Sequence, residues 1–211
     1  KDNLRQQSAM WQAMLMAAGL PTSKQILING FILSGGQKMS KSVGNVVNPF
    51  EYIKKYGTDS LRYFLLAKIS PFEDSDFTKE GFEKAYTSDL VNGLGNLVAR
   101  VAGLSHLGGV KASHPRGVIS GEVREKLEGF EFDKALGAIW DKIREADKLI
   151  NEKEVWKLKG KEKENVLTEL VGVIRQIGVD LQPFLPETAK KIMKQFAGSK
   201  IVRGKNLFER L

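Results

Sequence analysis

The sequence predicts a mainly α-helical fold, a helix bundle preceded by a shorter mixed α/β segment. Three observations carry this. From residue 82 onward, apolar residues recur at steps of three and four in long stripes, the mark of amphipathic helices packed on one another. Before residue 71 the pattern is broken into one short β-branched run, a glycine turn and short helical pieces. Hydrophobic residues make up 42% of the chain and charged residues 27%, ordinary for a protein with a buried core, which argues against disorder and fibre.

Each element follows from local signals. Residues 3–18 are rich in helix formers, and Ala9, Trp11, Ala13, Met14 and Met16 give them an apolar body. Gly19 suits the stop, with Pro21 after it. Residues 25–33 (QILINGFIL) read as a strand or strand pair, with Gly30 marking a bend. Ser34-Gly35-Gly36 is a turn, and residues 38–45 (KMSKSVGN) have no period. Asn48 is placed as an N-cap, with Pro49 and Glu51 in the first turn of a short helix ending at Gly57. Thr58 caps a further helix to about residue 69, and residues 71–78 form an acidic loop.

Beyond that loop the chain reads as helical. Phe82, Tyr86, Leu90, Leu94, Leu97, Val101 and Leu104 form one stripe of unusual length. After a loop at 108–117, Phe132, Leu136, Ile139, Ile143, Ala146 and Ile150 form a second. Val166, Leu170, Val173, Ile174, Ile177 and Leu181 form a third, broken by Pro183 and Pro186, and residues 187–196 form a shorter helix. The domain boundary falls near 71–78, with an antiparallel bundle after it.

Composition narrows the function. No run of about 18 apolar residues occurs, which excludes a helical membrane span. The absence of cysteine excludes disulfides and thiolate metal sites, and His106 and His114 are too few for a zinc site without carboxylates. The 33 basic and 25 acidic residues give a net charge of +8, which favours an anionic partner, nucleic acid above all, or simply solubility. The excess is uneven: +5 over residues 1–57, −1 over 58–125 and +4 over 126–211. The chain opens on Lys1 directly into a patterned segment, with the expectation that it is a piece of a longer protein.

One loop carries chemistry. Lys38-Met39-Ser40-Lys41-Ser42 follows the glycine turn and sets two ammonium groups three residues apart with hydroxyls between and beside them. Such groups can converge on one anion, and a compact, rotatable ammonium suits a phosphate whose charge shifts during reaction. Cations placed where charge develops on an α-phosphate and a departing pyrophosphate lower that barrier selectively. The pattern is not a Walker A loop. Taken only as two lysines in a turn, it reads more readily as a solvated lysine loop.

The string KMSKS followed by Val43-Gly44-Asn45 resembles the second signature of class I aminoacyl-tRNA synthetases. The resemblance extends over nearly the whole chain and narrows to the methionyl-tRNA synthetase family. Lys1-Asp2 with Trp11 and Ala13-Met14-Leu15, then Gly19-Leu20-Pro21 and Gly30-Phe31, resemble the second half of that family's nucleotide-binding fold. Tyr56-Gly57-Thr58-Asp59, residues 61–66 and Asp74-Ser75-Asp76-Phe77 resemble its linker. Asp89-Leu90-Val91-Asn92, residues 96–100 and Trp156 resemble its anticodon-binding bundle.

The resemblance implies residues 1–75 as the C-terminal part of a Rossmann-type α/β catalytic domain and residues 76–211 as an α-helical anticodon-binding domain. The longer parent is then a cytoplasmic methionine–tRNA ligase that uses ATP with Mg2+ and makes methionyl-adenylate, with no metal site in this piece. Lys41 is implied as the main transition-state cation, with Lys38 assisting and Met39, Ser40 and Ser42 completing the ATP loop. Asp2 is implied to face the ATP ribose and Trp11 to line the methionine pocket, where an aromatic face suits a thioether. Core packing explains Trp11 as well.

Asn92, Asn96, Arg100 and Trp156 are implied to read the CAU anticodon of the methionine tRNA. Asn92, Asn96 and Arg100 are spaced by four along one helix face, and amides with a guanidinium suit the edges of splayed bases. A solvent-facing polar stripe has the same spacing. Trp156 stands among Lys153, Lys157, Lys159, Lys161 and Lys163, as a stacking platform or as a helix-end anchor in the core. Gln7, Val155 and Asp147 depart from the family, which usually has histidine at the first of those places and often has proline and asparagine at the others. A HIGH-type signature is absent from the 211 residues. Leucyl-, isoleucyl-, valyl- or cysteinyl-specific synthetases, and a non-catalytic helical tRNA-binding adaptor, are the alternatives.

Overall fold

The computed structural model describes residues 1–106, 110, 117–198 and 201–210; His114 and most of the loop expected at 108–117 lie outside them. The described residues form two compact units, Lys1–Val47 with Ile69–Phe77, and Asn48–Lys68 with the chain from Thr78 onward. This division differs from a single cut after residue 75. The segment 48–68 belongs to the helical unit because its apolar side chains Leu61, Tyr63 and Phe64 are buried there.

In the first unit, a π-helical turn Gln6–Met10 leads into helix α1, Trp11–Ala17. Strand β1 (Ile32–Ser34) pairs antiparallel with β2 (Gln37–Lys38) and parallel with β3 (Ser75–Asp76). The turn between β1 and β2 is the two-residue Gly35-Gly36, both at positive φ (64° and 72°), the backbone that a tight hairpin requires. The strand expected over 25–33 is realised only at its end. Among the described residues, 25–30 have no ladder partner, and Gly30 instead donates its N–H to the Pro71 carbonyl at 3.2 Å. A Cβ at Gly30 would stand 2.0 Å from the Glu73 carbonyl oxygen, so the close approach needs glycine there.

The second unit is helical. Helix α2 (Pro49–Tyr56) starts as expected: Asn48 caps it by accepting the Phe50 N–H at 3.1 Å. Helix α3 (Thr58–Ala67) begins at Thr58 itself, with Gly57 at the cap. The long stripe from Phe82 becomes α4 (Lys79–Ala85), a π-helical stretch Tyr86–Gly95 and α5 (Asn96–Ser105), joined through helical backbone at both junctions. All of its apolar residues but the half-buried Leu104 are buried. Helix α6 (Gly121–Glu128) has no counterpart in the sequence reading, because only Val123 of it is buried and no stripe betrays it. Helices α7 (Phe132–Glu152), α8 (Gly160–Asp180) and α9 (Pro186–Gln195) follow the remaining stripes, Pro186 opening α9.

Long-range polar contacts lock these helices. Asp59 of α3 accepts the Thr188 N–H at 2.6 Å and so caps α9 from far along the chain. Arg62 donates to the Phe184 and Pro183 carbonyls at 2.6 and 2.8 Å. Buried Asp180 accepts from the Ser120 N–H (2.8 Å) and hydroxyl (2.9 Å), the Lys142 ammonium (2.9 Å) and the Gln176 amide (2.9 Å), joining the start of α6 to α7 and α8.

Candidate functional site

The loop after β2 is built from its own residues. Asn45 braces it: the side-chain oxygen accepts the Ser40 N–H at 2.8 Å, and the amide nitrogen donates to the Lys38 and Ser34 carbonyls at 3.3 and 3.4 Å. Gly44, at φ 74°, and Val43 both donate N–H to the Ser40 carbonyl, closing the turn. The Ser40 and Ser42 hydroxyls are 2.8 Å apart, sharing one hydrogen bond. Met39 and Ser40 are half-buried, whereas Lys38, Lys41 and Ser42 are exposed.

The structure brings Asp2 and Lys38 together as an ion pair. The Lys38 ammonium also lies 4.5 Å over the Phe31 ring, whose other cation is Lys1 at 4.9 Å. Lys1 in turn binds Asp74 at 2.7 Å, and Asp74 accepts the Phe31 N–H at 2.8 Å. The hydrogen bond from Lys38 holds the Asp2 carboxyl below its ordinary range, and that from Lys1 does the same for Asp74. Lys41 makes no ion pair among the described residues. Thus one lysine of the loop is preplaced beside a carboxylate, and the other is exposed and without an ion pair among the described residues. Trp11 is 46% exposed, so its indole face is open rather than packed into a core.

In the helical unit, α7 ends in a turn that presents Trp156. Glu154 adopts positive φ (42°), and Val155 donates its N–H to Ile150 and is fully buried. Val155 is therefore the helix-end anchor, and the following Trp156 is turned outward, 51% exposed. Arg100 of α5 reaches the same depression, a cavity of about 560 Å3 that Trp156 and Arg100 line together. Arg100 is not free: its guanidinium pairs with Asp147 of α7 and donates to the Asn151 amide oxygen at 2.7 Å.

The expected polar stripe does not converge on one cavity. Asn92 lies in the π-helical stretch and lines a different depression with Lys55, Thr87 and Arg210. Asn96 is exposed at the first residue of α5 and lines neither. Sequence reasoning missed Asn45 as the brace, although it trails the lysine motif, and missed Asp147 and Asn151 as partners of Arg100. Among the described residues no group of three or more histidines and carboxylates converges, and no helix is long and apolar enough to cross a membrane.

Known proteins resemble the chain as a whole. A family model described as tRNA synthetases class I (M) matches residues 1–102. The methionine–tRNA ligase of Rhizobium meliloti (strain 1021) is 36% identical over 210 residues, covering 92% of this chain and 41% of that protein. That of Clostridium acetobutylicum is 36% identical over 247 residues, covering 100% of this chain and 38% of that protein. Among solved structures, the Mycobacterium tuberculosis methionyl-tRNA synthetase in complex with methionyl-adenylate superposes with a TM-score of 0.82 at 27% identity, over 99% of this chain and 48% of that one. The chain therefore spans well under half the length of these curated relatives. By its sequence and by its fold, the chain belongs to the class I methionyl-tRNA synthetases and corresponds to one part of those longer proteins.

Proposed function

We propose that this chain is the part of a cytoplasmic methionine–tRNA ligase that supplies the phosphate-binding lysine loop and reads the tRNA anticodon. The observation that carries the reading is the pairing of a half-exposed indole, Trp156, with the Arg100 guanidinium in one cavity of the helical unit. An aromatic face takes a base by stacking, and a guanidinium takes the edge of a neighbouring base or a phosphate. Asn96 and Asn92 extend the polar surface along the same continuous helix. The Arg100–Asp147–Asn151 cluster fixes the guanidinium plane, so that its remaining N–H groups face the RNA in a set orientation. The preferred anticodon is CAU.

In the lysine loop, Lys41 moves to the α-phosphate of ATP as charge builds on it and on pyrophosphate, and Lys38 assists. Met39, Ser40 and Ser42 carry the backbone and hydroxyls that line the ATP. Asp2 accepts ribose hydroxyl hydrogen bonds once Lys38 turns to the phosphates, and Trp11 offers its open face to methionine. Mg2+ enters with ATP as its counter-ion, as part of the substrate. In this division of labour, residues 1–75 serve catalysis and residues 76–211 serve anticodon recognition.

The test is a comparison of RNA stem-loops at one salt concentration. A CAU loop is expected to bind more tightly than a changed loop, and Trp156→Ala is expected to cost roughly 1–3 kcal/mol on the CAU loop. Equal binding of both loops, indifferent to Trp156→Ala, favours a helical adaptor without anticodon preference.

A further inference from the structure

The cavity of about 560 Å3 beside Trp156 has a second wall, and it comes from the C-terminal segment rather than from the helices. Residues 201–210 run back along the long first helix of the bundle. At one end Ile201 is fully buried, its carbonyl lies 3.3 Å from His106 Nδ1, and Gln195 donates to the Val202 carbonyl at 3.0 Å. At the other end Phe208 is buried edge-on to Tyr86, whose hydroxyl donates to the Glu209 carbonyl at 2.7 Å. Between these anchors residues 202–206 are exposed, and Arg203 and Lys205 line the cavity that Trp156 also lines. The Arg203 guanidinium is laid over the backbone of Gly103.

The charges in this cavity are unequal in kind. Arg100 is neutralised by Asp147, so its cation is already spent within the fold. Arg203 and Lys205 make no ion pair among the described residues. The positive charge open to a ligand here therefore belongs to the C-terminal segment. A volume of about 560 Å3 is in the range of a pocket for a small ligand, enough to take one nucleotide unit.

We propose that residues 201–210 form the phosphate-binding wall of this groove, with Arg203 and Lys205 holding the backbone phosphates that flank a single-stranded base stacked on Trp156. This rests on the RNA-reading function proposed above and adds the residues that supply its electrostatic component. Trp156 and Arg100 then account for which base is accepted, and Arg203 and Lys205 for how tightly any loop is held. Phosphate contacts position a nucleic acid without reading it, so the two contributions separate experimentally.

The experiment measures binding of a CAU stem-loop and a changed-loop control to the chain over a salt series, for the wild type, Trp156→Ala, the double variant Arg203→Gln/Lys205→Gln, and the matched double variant Arg124→Gln/Lys190→Gln, whose residues are exposed and outside the cavity. The Arg203/Lys205 variant is expected to bind both stem-loops about tenfold more weakly. It is also expected to keep the preference for CAU and to flatten the log–log salt slope by about 1.4, at about 0.7 per single-strand phosphate. The Arg124/Lys190 variant is expected to lose much less. Binding by the Arg203/Lys205 variant at wild-type strength and slope, or a loss no larger than that of the matched variant, overturns the proposal while leaving CAU preference and the Trp156 effect standing. A wild type with no loop preference and no response to Trp156→Ala overturns the RNA-reading function itself, and this proposal with it.

Discussion

Asp2 and Lys38 show how much of the lysine loop is decided by single side chains. Both are about three-fifths exposed, so their ion pair is screened by water and its role is placement rather than stability. Because Asp2 and Asp74 both have lowered pKa values in the folded chain, their pairing is present above the ordinary carboxylate pKa of about 3.9 and is lost only as pH falls through their lower folded-chain values. Carboxyl-carbon NMR titration should find both groups below that value. Lys38→Ala should return Asp2 toward it while leaving Asp74 low, since Asp74 is held by Lys1 and Phe31 instead. An Asp2 titration that ignores Lys38→Ala would mean that the pair does not form in solution. The motif itself was plain in the sequence; its brace was not. Asn45 acts on Ser40, Lys38 and Ser34 through folded-loop geometry that letter spacing does not encode.

At the scale of elements, apolar period decided what was readable. The run from Phe82 to Val101 was legible because its stripe residues, spaced by three and four, are all buried along a continuous helix, even through its π-helical stretch. Helix α6 was not, because a helix with a single buried residue leaves no stripe. The run 25–33 has strand-forming residues, but a strand exists only through its neighbours, and only Ile32–Ser34 finds them. The helix-locking contacts were equally hidden, since Asp59 meets Thr188 and Asp180 meets Ser120 across long stretches of sequence. Asp180 offers a direct check of such a lock. Asp180→Ala leaves the Lys142 ammonium and the Ser120 and Gln176 donors without their shared acceptor, and urea unfolding should record a loss of about 3 kcal/mol. A loss under about 0.5 kcal/mol would show that water replaces the carboxylate at no cost.

Across the whole molecule, one chain carries two sites with separate proposed roles, the lysine loop in phosphate chemistry and the indole-guanidinium cavity in RNA binding. In a longer synthetase carrying this chain, Lys41→Ala should raise the barrier to methionyl-adenylate formation by about 2–4 kcal/mol and weaken methionine binding much less. Comparable losses in pyrophosphate exchange and in binding would mean that Lys41 only holds ground-state ATP. The central claim, that Trp156 is the surface on which an anticodon base stacks, has a direct optical readout. Of the three tryptophans, Trp140 is buried against Tyr63 and Trp11 belongs to the other unit, which leaves Trp156 as the exposed indole of the helical unit. Titration with a CAU stem-loop should quench tryptophan emission, a changed loop at the same concentration should quench it less, and Trp156→Phe should abolish the response. Quenching that persists in Trp156→Phe, or that is equal for both loops, would contradict the account.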